Sequence, residues 1–268
     1  MSNLILTSAV GYDFPKIEVF IKSLRKFYFD GIAVLTNKDQ KDLKFFTDDY
    51  NVQLIETDIE AKKSYHQRFD YYYLYLQDKF ENYNSIFLTD SRDVLFQENP
   101  FAFKYKSNLN FYLEDNIIEN CKHNSNWIKK TAGREAYEKI KKNRISCSGT
   151  VIGKSRDIFN YIKLMNENIK KYKYKKSFRE YVSFKKKYIG YDQGIHNFLI
   201  RNNFFPGSHL YDNAEGNIAT INYYFPNLNF NSNHRLINDH GRPYDVVHQY
   251  DRITVANNFD NTVKDILS

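Results

Sequence analysis

The chain holds only two cysteines, Cys121 and Cys147, with one tryptophan, five prolines and ten glycines in 268 residues. Two cysteines and no Asn-x-Ser/Thr sequon exclude a disulfide-built scaffold and argue against a glycosylated, secreted product. Both thiols are expected to be reduced and buried. With so little Pro and Gly beside 42% hydrophobic residues, a disordered or fibrous chain is excluded as well. No run approaches the roughly eighteen apolar residues that a membrane span needs. The opening MSNLILTSAVG also lacks the charged start and apolar core of a secretory signal. The expected location is therefore the cytoplasm.

What is present is aromatic and basic. Phe, Tyr and Trp make up 17% of the chain, and the net charge of +7 suits an anionic partner: a nucleotide, a nucleic acid or an acidic membrane face. The length fits one α/β core of ordinary size. LILTSAVG followed by KIEVFIKSLRKFYF reads as a strand feeding an amphipathic helix, GIAVLTN then DQKDLKFFTDDY repeats the pattern, and VQLIET then SYHQRFDYYYLYLQDKF repeats it again. Three such units predict a mostly parallel central sheet with helices on its faces, and SIFLTD becomes a fourth, central strand. Ligands in such folds gather at the carboxyl ends of strands.

Beyond Phe101 the alternation weakens. NLNFYLED reads as a strand, NSNWIKKTAGREAYEKIKK as a broken helix, SCSGTVIGK as a strand and SRDIFNYIKLMNENIKKY as a helix from Ser155. GYDQGIHNFLIRNN is a further helix in which Asp192 is the natural N-cap, and IATIN and YDVVHQYD are late strands. Residues 163–187 interleave Lys and Arg with Tyr and Phe. They read as a solvated helix with long basic stems, or as a surface docking on anionic lipid headgroups or an acidic acceptor. Basic and aromatic residues together also suit a single-stranded nucleic acid. Nothing outside the stretch supports that, so no nucleic-acid partner is expected.

The chemistry concentrates in TDSRD, where Asp90 and Asp93 end an apolar strand with Arg92 between them. Two carboxylates so placed repel each other unless positive charge sits beside them, and a divalent metal with a taste for oxygen, Mn²⁺ or Mg²⁺, supplies it. The plainer alternative is a turn-capping Asp and an Asp–Arg surface pair. Taken together, HQRFDYYYLYLQDKFENYNSIFLTDSRDVLFQENPF, CSGTVIG, GYDQGIHNFL and GRPYDVVHQYDR follow in an order that resembles GT-A glycosyltransferases. The likeness is to the glycogenin and galactosyltransferase-like families. It is strongest to nucleotide-diphospho-sugar transferases with T-D-x-R-D-V-x-F-Q, C-S-G, D-Q-G-x-H-N and V-H-Q-Y-D-R.

That resemblance covers roughly Arg68 to Arg252 and implies a single GT-A domain over residues 1–268. Its nucleotide-binding half would be 1–101, and its acceptor-side half 102–268 would carry a smaller sheet. It implies that Asp93 and His248 ligate the metal. Asp90 would either join them or hold the ribose, with Ser91 at the position where the usual D-x-D has its first carboxylate. Arg68 would reach phosphate or ribose. Thr7, Ser8, Ala9 and Tyr12 would hold base and ribose, and Ser148 and Gly149 would lie beside the donor sugar. Asp192 with Gln193 would contact the reacting sugar, Glu114 and Asp115 would be able to face the acceptor, and His196 and Asn197 would orient neighbours. The implied activity transfers a sugar from a nucleotide-sugar donor, a UDP-sugar by resemblance, to a glycan or glycolipid acceptor in surface polysaccharide synthesis. Residues 163–187 would then touch the inner face of the membrane. Two rivals stay open: a metal-dependent nucleotidyltransferase or phosphohydrolase, and a non-catalytic basic membrane- or RNA-binding protein.

Overall fold

Strand β1 (Ser2–Ser8) sends alternate side chains to two different cores, as the period of a strand dictates. Leu4 and Leu6 join one apolar cluster and Ile5 the other. Strand β2 (Gly31–Asn37) divides Ala33 and Leu35 from Ile32 and Val34 in the same way, and β4 (Tyr83–Thr89) divides Ile86 and Leu88 from Phe87. A sheet that buries both faces needs helices on both. Helix α1 (Phe14–Phe27) covers one face with Phe14, Ile17, Phe20 and Leu24. Helices α2 (Ser64–Leu76) and α5 (Ser155–Lys173) cover the other through Phe69, Tyr72, Tyr161 and Ile162.

The computed structural model describes residues 1–37, 49–61, 64–173, 190–221, 228–252 and 256–267. The helix expected in DQKDLKFFTDDY and the basic stretch beyond residue 173 lie largely outside them. The remaining strands are β3 (Gln53–Thr57), β5 (Val94–Phe96), β6 (Leu109–Ile117), β7 (Arg144–Lys154), β8 (His209–Tyr211), β9 (Ile218–Thr220), β10 (Asn229–Phe230), β11 (Leu236–Ile237) and β12 (Val246–His248). The remaining helices are α3 (Lys122–Thr131), α4 (Arg134–Ile140), α6 (Tyr191–Arg201) and α7 (Ala256–Leu267).

The main sheet has seven strands in the order β3-β2-β1-β4-β7-β6-β8, so β4 is central, as its apolar run predicts. Pairing is parallel from β3 through β4; β7 then runs antiparallel to both β4 and β6, and β8 returns parallel to β6. The broken helix resolves into α3 and α4, which meet at Gly133 with φ 94°, a left-handed conformation that costs glycine little. No described helix is long and apolar enough to cross a membrane. Cys147 is buried, whereas Cys121, beside the start of α3, is only partly covered, and both are free thiols.

A second sheet, β5-β12-β9, stands beside the first and explains how a residue near the C-terminus reaches the end of β4. Antiparallel pairing of β12 with β5 sets His248 opposite Val94, so His248 arrives next to Asp93. The next residue, Gln249, turns with φ 63° and donates its N–H to the Asp93 carbonyl at 2.6 Å.

Candidate metal centre

Asp90 follows the last residue of β4, and its backbone N–H donates to the Gly149 carbonyl on β7 at 2.9 Å. Asp93 precedes the first residue of β5, in the second sheet. The two residues between them therefore carry the chain from one sheet to the other. This is the physical content of the D-x-x-D spacing: its two middle residues span the gap between the sheets. Ser91 anchors the crossing by donating its hydroxyl to the Ser8 carbonyl at 2.8 Å. It faces the end of β1, and the carboxylate that joins Asp93 is Asp90.

One ligand atom from each of Asp90, Asp93 and His248 lies within 4.8 Å of the others, a spacing close enough to hold a metal ion. His248 Nε2 is 3.4 Å from Asp90 Oδ2 and 3.7 Å from Asp93 Oδ1, and it has no hydrogen-bond partner although the ring is wholly buried. A buried polar atom left without a partner costs about 1–3 kcal/mol. Burial disfavours charge on the ring, yet its neighbours outweigh burial and raise its pKa well above normal, so a proton held between the two acids relieves that cost, and a metal ion would take the place of that proton. The other ring nitrogen, Nδ1, meets the Cys147 sulfur at 3.5 Å, which fixes the ring so that Nε2 faces the acids. Burial holds the Cys147 thiol above its usual range, so it sits there as a neutral group.

The surrounding charges are balanced by arginines. Arg68, on α2, bridges Asp90 Oδ1 at 2.6 Å and Asp192 Oδ2 at 3.0 Å. Burial disfavours its charge, yet the pull of Asp90 and Asp192 outweighs burial and raises its pKa well above normal. Burial likewise opposes ionisation of Asp90, but Arg68 and His248 overcome it and hold Asp90 far below the usual carboxylate range. Asp93 Oδ2 accepts from Arg92 at 3.2 Å and from Arg252 at 3.3 Å, leaving Oδ1 toward His248. Arg92 also pairs with Asp251.

Gly149 is what leaves room. A methyl group there would stand 2.5 Å from Asp90 Oδ2 and 2.6 Å from His248 Cε1, inside van der Waals contact with two of the three candidate ligands. Gly149→Ala is expected to cost about 1–3 kcal/mol by overpacking. It should also drive Asp90 away from His248, so that Mn²⁺ binding by isothermal titration calorimetry falls below detection while the far-UV circular dichroism spectrum is unchanged.

A cleft of about 270 Å³ opens beside Asp90 and Asp93, lined also by Ser8, Tyr12, Arg68 and Arg252 among others, and His248 lies wholly buried behind the two acids, outside the lining. Burial and the neighbouring Tyr65 push the Tyr12 hydroxyl up to about 12, so it remains protonated at neutral pH. The rest of the expected site divides. Thr7 donates its hydroxyl to the Thr89 carbonyl at 2.6 Å, and Ala9 is wholly buried, so both build the floor under the cleft without lining it. Ser148 is held by its N–H, which donates to Gln193 Oε1 at 2.8 Å.

Asp192 and Gln193 are also buried and outside the cleft lining. The helix N-cap is Gly190, and Asp192 stands in the first turn, where its carboxylate is engaged by Arg68. Burial, the largest influence, nonetheless raises the Asp192 pKa. The Gln193 amide nitrogen donates to the Ser146 carbonyl at 2.9 Å and to Asn124 Oδ1 at 3.1 Å, tying α6 to β7 and α3. His196 shares hydrogen bonds with Ser146 at 2.9 Å and Tyr161 at 2.8 Å; burial lowers its pKa to about 3, so it is a neutral bridge. Asn197 holds both the N–H and the carbonyl of Ser146. Asp115 is paired with Arg144 and Asn213, and neither it nor Glu114 lines the cleft. Sequence reading missed Cys147 as the residue orienting His248 and Arg252 as a partner of Asp93, although both lie inside motifs already singled out. No protein-family model matches the chain, and no curated protein matches it.

Proposed function

We propose that the chain is a metal-dependent glycosyltransferase of the GT-A type, which moves a sugar from a nucleoside diphosphate sugar to a hydroxyl of a glycan or glycolipid. The observation that carries the reading is the convergence of Asp90, Asp93 and the His248 nitrogen that faces both acids at the carboxyl end of the central strand. A mixed oxygen and imidazole donor set suits Mn²⁺, and Mg²⁺ less well. When bound, such an ion would neutralise charge developing on a diphosphate leaving group.

The chain's own residues would do the rest. Ser8 and Tyr12 offer hydroxyl groups at the cleft wall, and the Tyr12 ring offers a stacking face for a base. Arg92 and Arg252 line the same cleft and can meet phosphate oxygens. Asp192 acts through Arg68, which in turn holds Asp90 with one oxygen toward His248, and Gln193 fixes the Ser148–Gly149 backbone beneath the cleft. The donor nucleotide is UDP by resemblance, and the acceptor is a surface glycan; of residues 163–187, which would supply its membrane contact, those beyond 173 lie outside the described residues.

A thermal-shift screen of nucleoside diphosphates and nucleotide sugars, with and without Mn²⁺, tests the reading, because a ligand that binds only the folded chain raises its melting temperature. The expected outcome is stabilisation by one nucleotide family that requires Mn²⁺, followed by slow release of the nucleoside diphosphate from its sugar form. Release of pyrophosphate or inorganic phosphate would instead assign the site to a nucleotidyltransferase or phosphohydrolase.

A further inference from the structure

Residues 122–144 hold eight Lys and Arg side chains against two Glu, a net charge of +6 where the whole chain carries +7. They form α3, α4 and the first residue of β7. On α3 the inward side is uncharged, with Asn124, Ser125 and Ile128 buried. Lys122, His123, Asn126 and Lys130 are exposed and fall within about 100° of one another around the helix axis. The nearby carboxylates are already engaged: Glu135 with Lys139 at 2.8 Å, Glu138 with Lys141 at 2.6 Å and Glu119 with Lys142 at 2.5 Å. Lys129 lies over the Tyr137 ring at 4.0 Å. Among the described residues, the side chains of Lys122, Lys130 and Arg134 have no ion-pair or hydrogen-bond partner.

Trp127, the only tryptophan of the chain, stands half-buried at the edge of this face. Its ring meets the His123 ring at 5.6 Å and lies against Gly190, where a methyl group would stand 2.9 Å from it. The indole is therefore held in place while part of it stays open to solvent. On the inward side Asn124 Oδ1 accepts from Gln193 Nε2 at 3.1 Å, and Gln193 Oε1 accepts from the Ser148 N–H at 2.8 Å. These bonds fix the helix against the backbone beside the metal centre.

Cations without partners on the convex outside of a helix, with an indole at their edge, match a flat layer of negative headgroups. Ammonium and guanidinium groups meet the headgroup phosphates, and an indole suits the boundary between headgroups and water. A single-stranded nucleic acid asks for a groove with successive rings, which the outside of a helix does not offer. We infer that the outer face of α3, continued by Arg134 at the start of α4, docks on an anionic lipid surface. This face is separate from residues 163–187. Docking requires neither metal nor nucleotide, so failure of the proposed sugar transfer would leave it standing, and its own failure would leave the metal centre standing.

Cosedimentation of the full-length protein with vesicles of equal parts phosphatidylcholine and phosphatidylglycerol tests this, with pure phosphatidylcholine vesicles as the control. The protein is expected to pellet with the anionic vesicles alone. The emission of Trp127, which reports on this face and on no other, should move to shorter wavelength as water leaves the indole. Raising the salt from about 0.1 M to about 1 M, which shortens the screening length from about 10 Å to about 3 Å, should release the protein. Lys122→Ala combined with Lys130→Ala should weaken vesicle binding about thirtyfold. Both side chains are exposed, so the double variant should keep the wild-type melting temperature and any response to Mn²⁺. The inference is overturned if the protein stays in solution with anionic vesicles, or if the double variant pellets like the wild type. It is equally overturned if Trp127 emission is unmoved while the protein pellets, or if a single-stranded oligonucleotide moves that emission as strongly as the vesicles do.

Discussion

Asp93→Ala should erase the response of the protein to Mn²⁺ while leaving its metal-free stability nearly intact. Loss of a group that merely supports a metal ligand typically weakens affinity 10–100-fold, so loss of a ligand should weaken it by at least about 100-fold. At a Mn²⁺ concentration about 100 times the wild-type dissociation constant, the ion adds about 2.7 kcal/mol to wild-type stability and only about 0.4 kcal/mol to the variant. Without metal the balance differs. Asp93 lies beside Asp90 across His248, so its removal relieves repulsion, and the arginines it held are exposed enough to return to water: Arg92 side chain is 36% exposed and Arg252 41%. Asp93→Asn controls for shape, since it keeps one oxygen and loses the charge. Melting curves with and without Mn²⁺ check the prediction. A variant that still gained the wild-type increment would remove Asp93 from the metal centre.

The part of the molecule legible in the sequence is the part built from local patterns. The alternating runs from β1 to β4 locate four strands, and the apolar IFL core of SIFLT marks β4 as one of those buried on both faces, as it is at the centre of the sheet. Asp90 and Asp93 stand out for the same reason, as charge ending an apolar run. The antiparallel β7 is not legible, because its apolar stretch has no direction until β4 and β6 pair with it. Partner choice is equally hidden. Arg68 reads as a basic residue on a helix near a nucleotide, but nothing local reveals that Asp192, over a hundred residues later, will share its guanidinium with Asp90. His248 is marked only by its motif; what brings it to Asp93 is the register of two three-residue strands, too short for periodicity to announce. Gly149 reads as a place of close backbone approach, and the structure supplies the reason in Asp90 and His248, two candidate ligands that occupy the space of its missing side chain.

Arg68→Met should be the most destabilising single change at the site. The methionine keeps the length of the buried stem and removes the only cation that Asp192 contacts among its described ion pairs. Breaking a buried pair from one side costs about 3–5 kcal/mol, because the remaining charge stays out of water without compensation. The lower end applies here, since backbone hydrogen bonds at the start of α6 already favour the ionised Asp192. Urea denaturation is expected to show a lower midpoint with an unchanged slope. Adding Asp192→Asn to Arg68→Met should recover part of the loss, because the orphaned charge is then gone, and the double-mutant cycle should give a coupling well above the 0.3–0.5 kcal/mol scatter of about additive sites. The Mn²⁺ response should fall as well, because Asp90 loses the contact that turns its second oxygen toward His248. If Arg68 instead served only to bind a nucleotide, Arg68→Met would leave the unliganded protein as stable as the wild type, and the single substitution would weaken nucleotide binding alone. Stability without ligand therefore separates a residue that contacts substrate from one that holds the carboxylates in place.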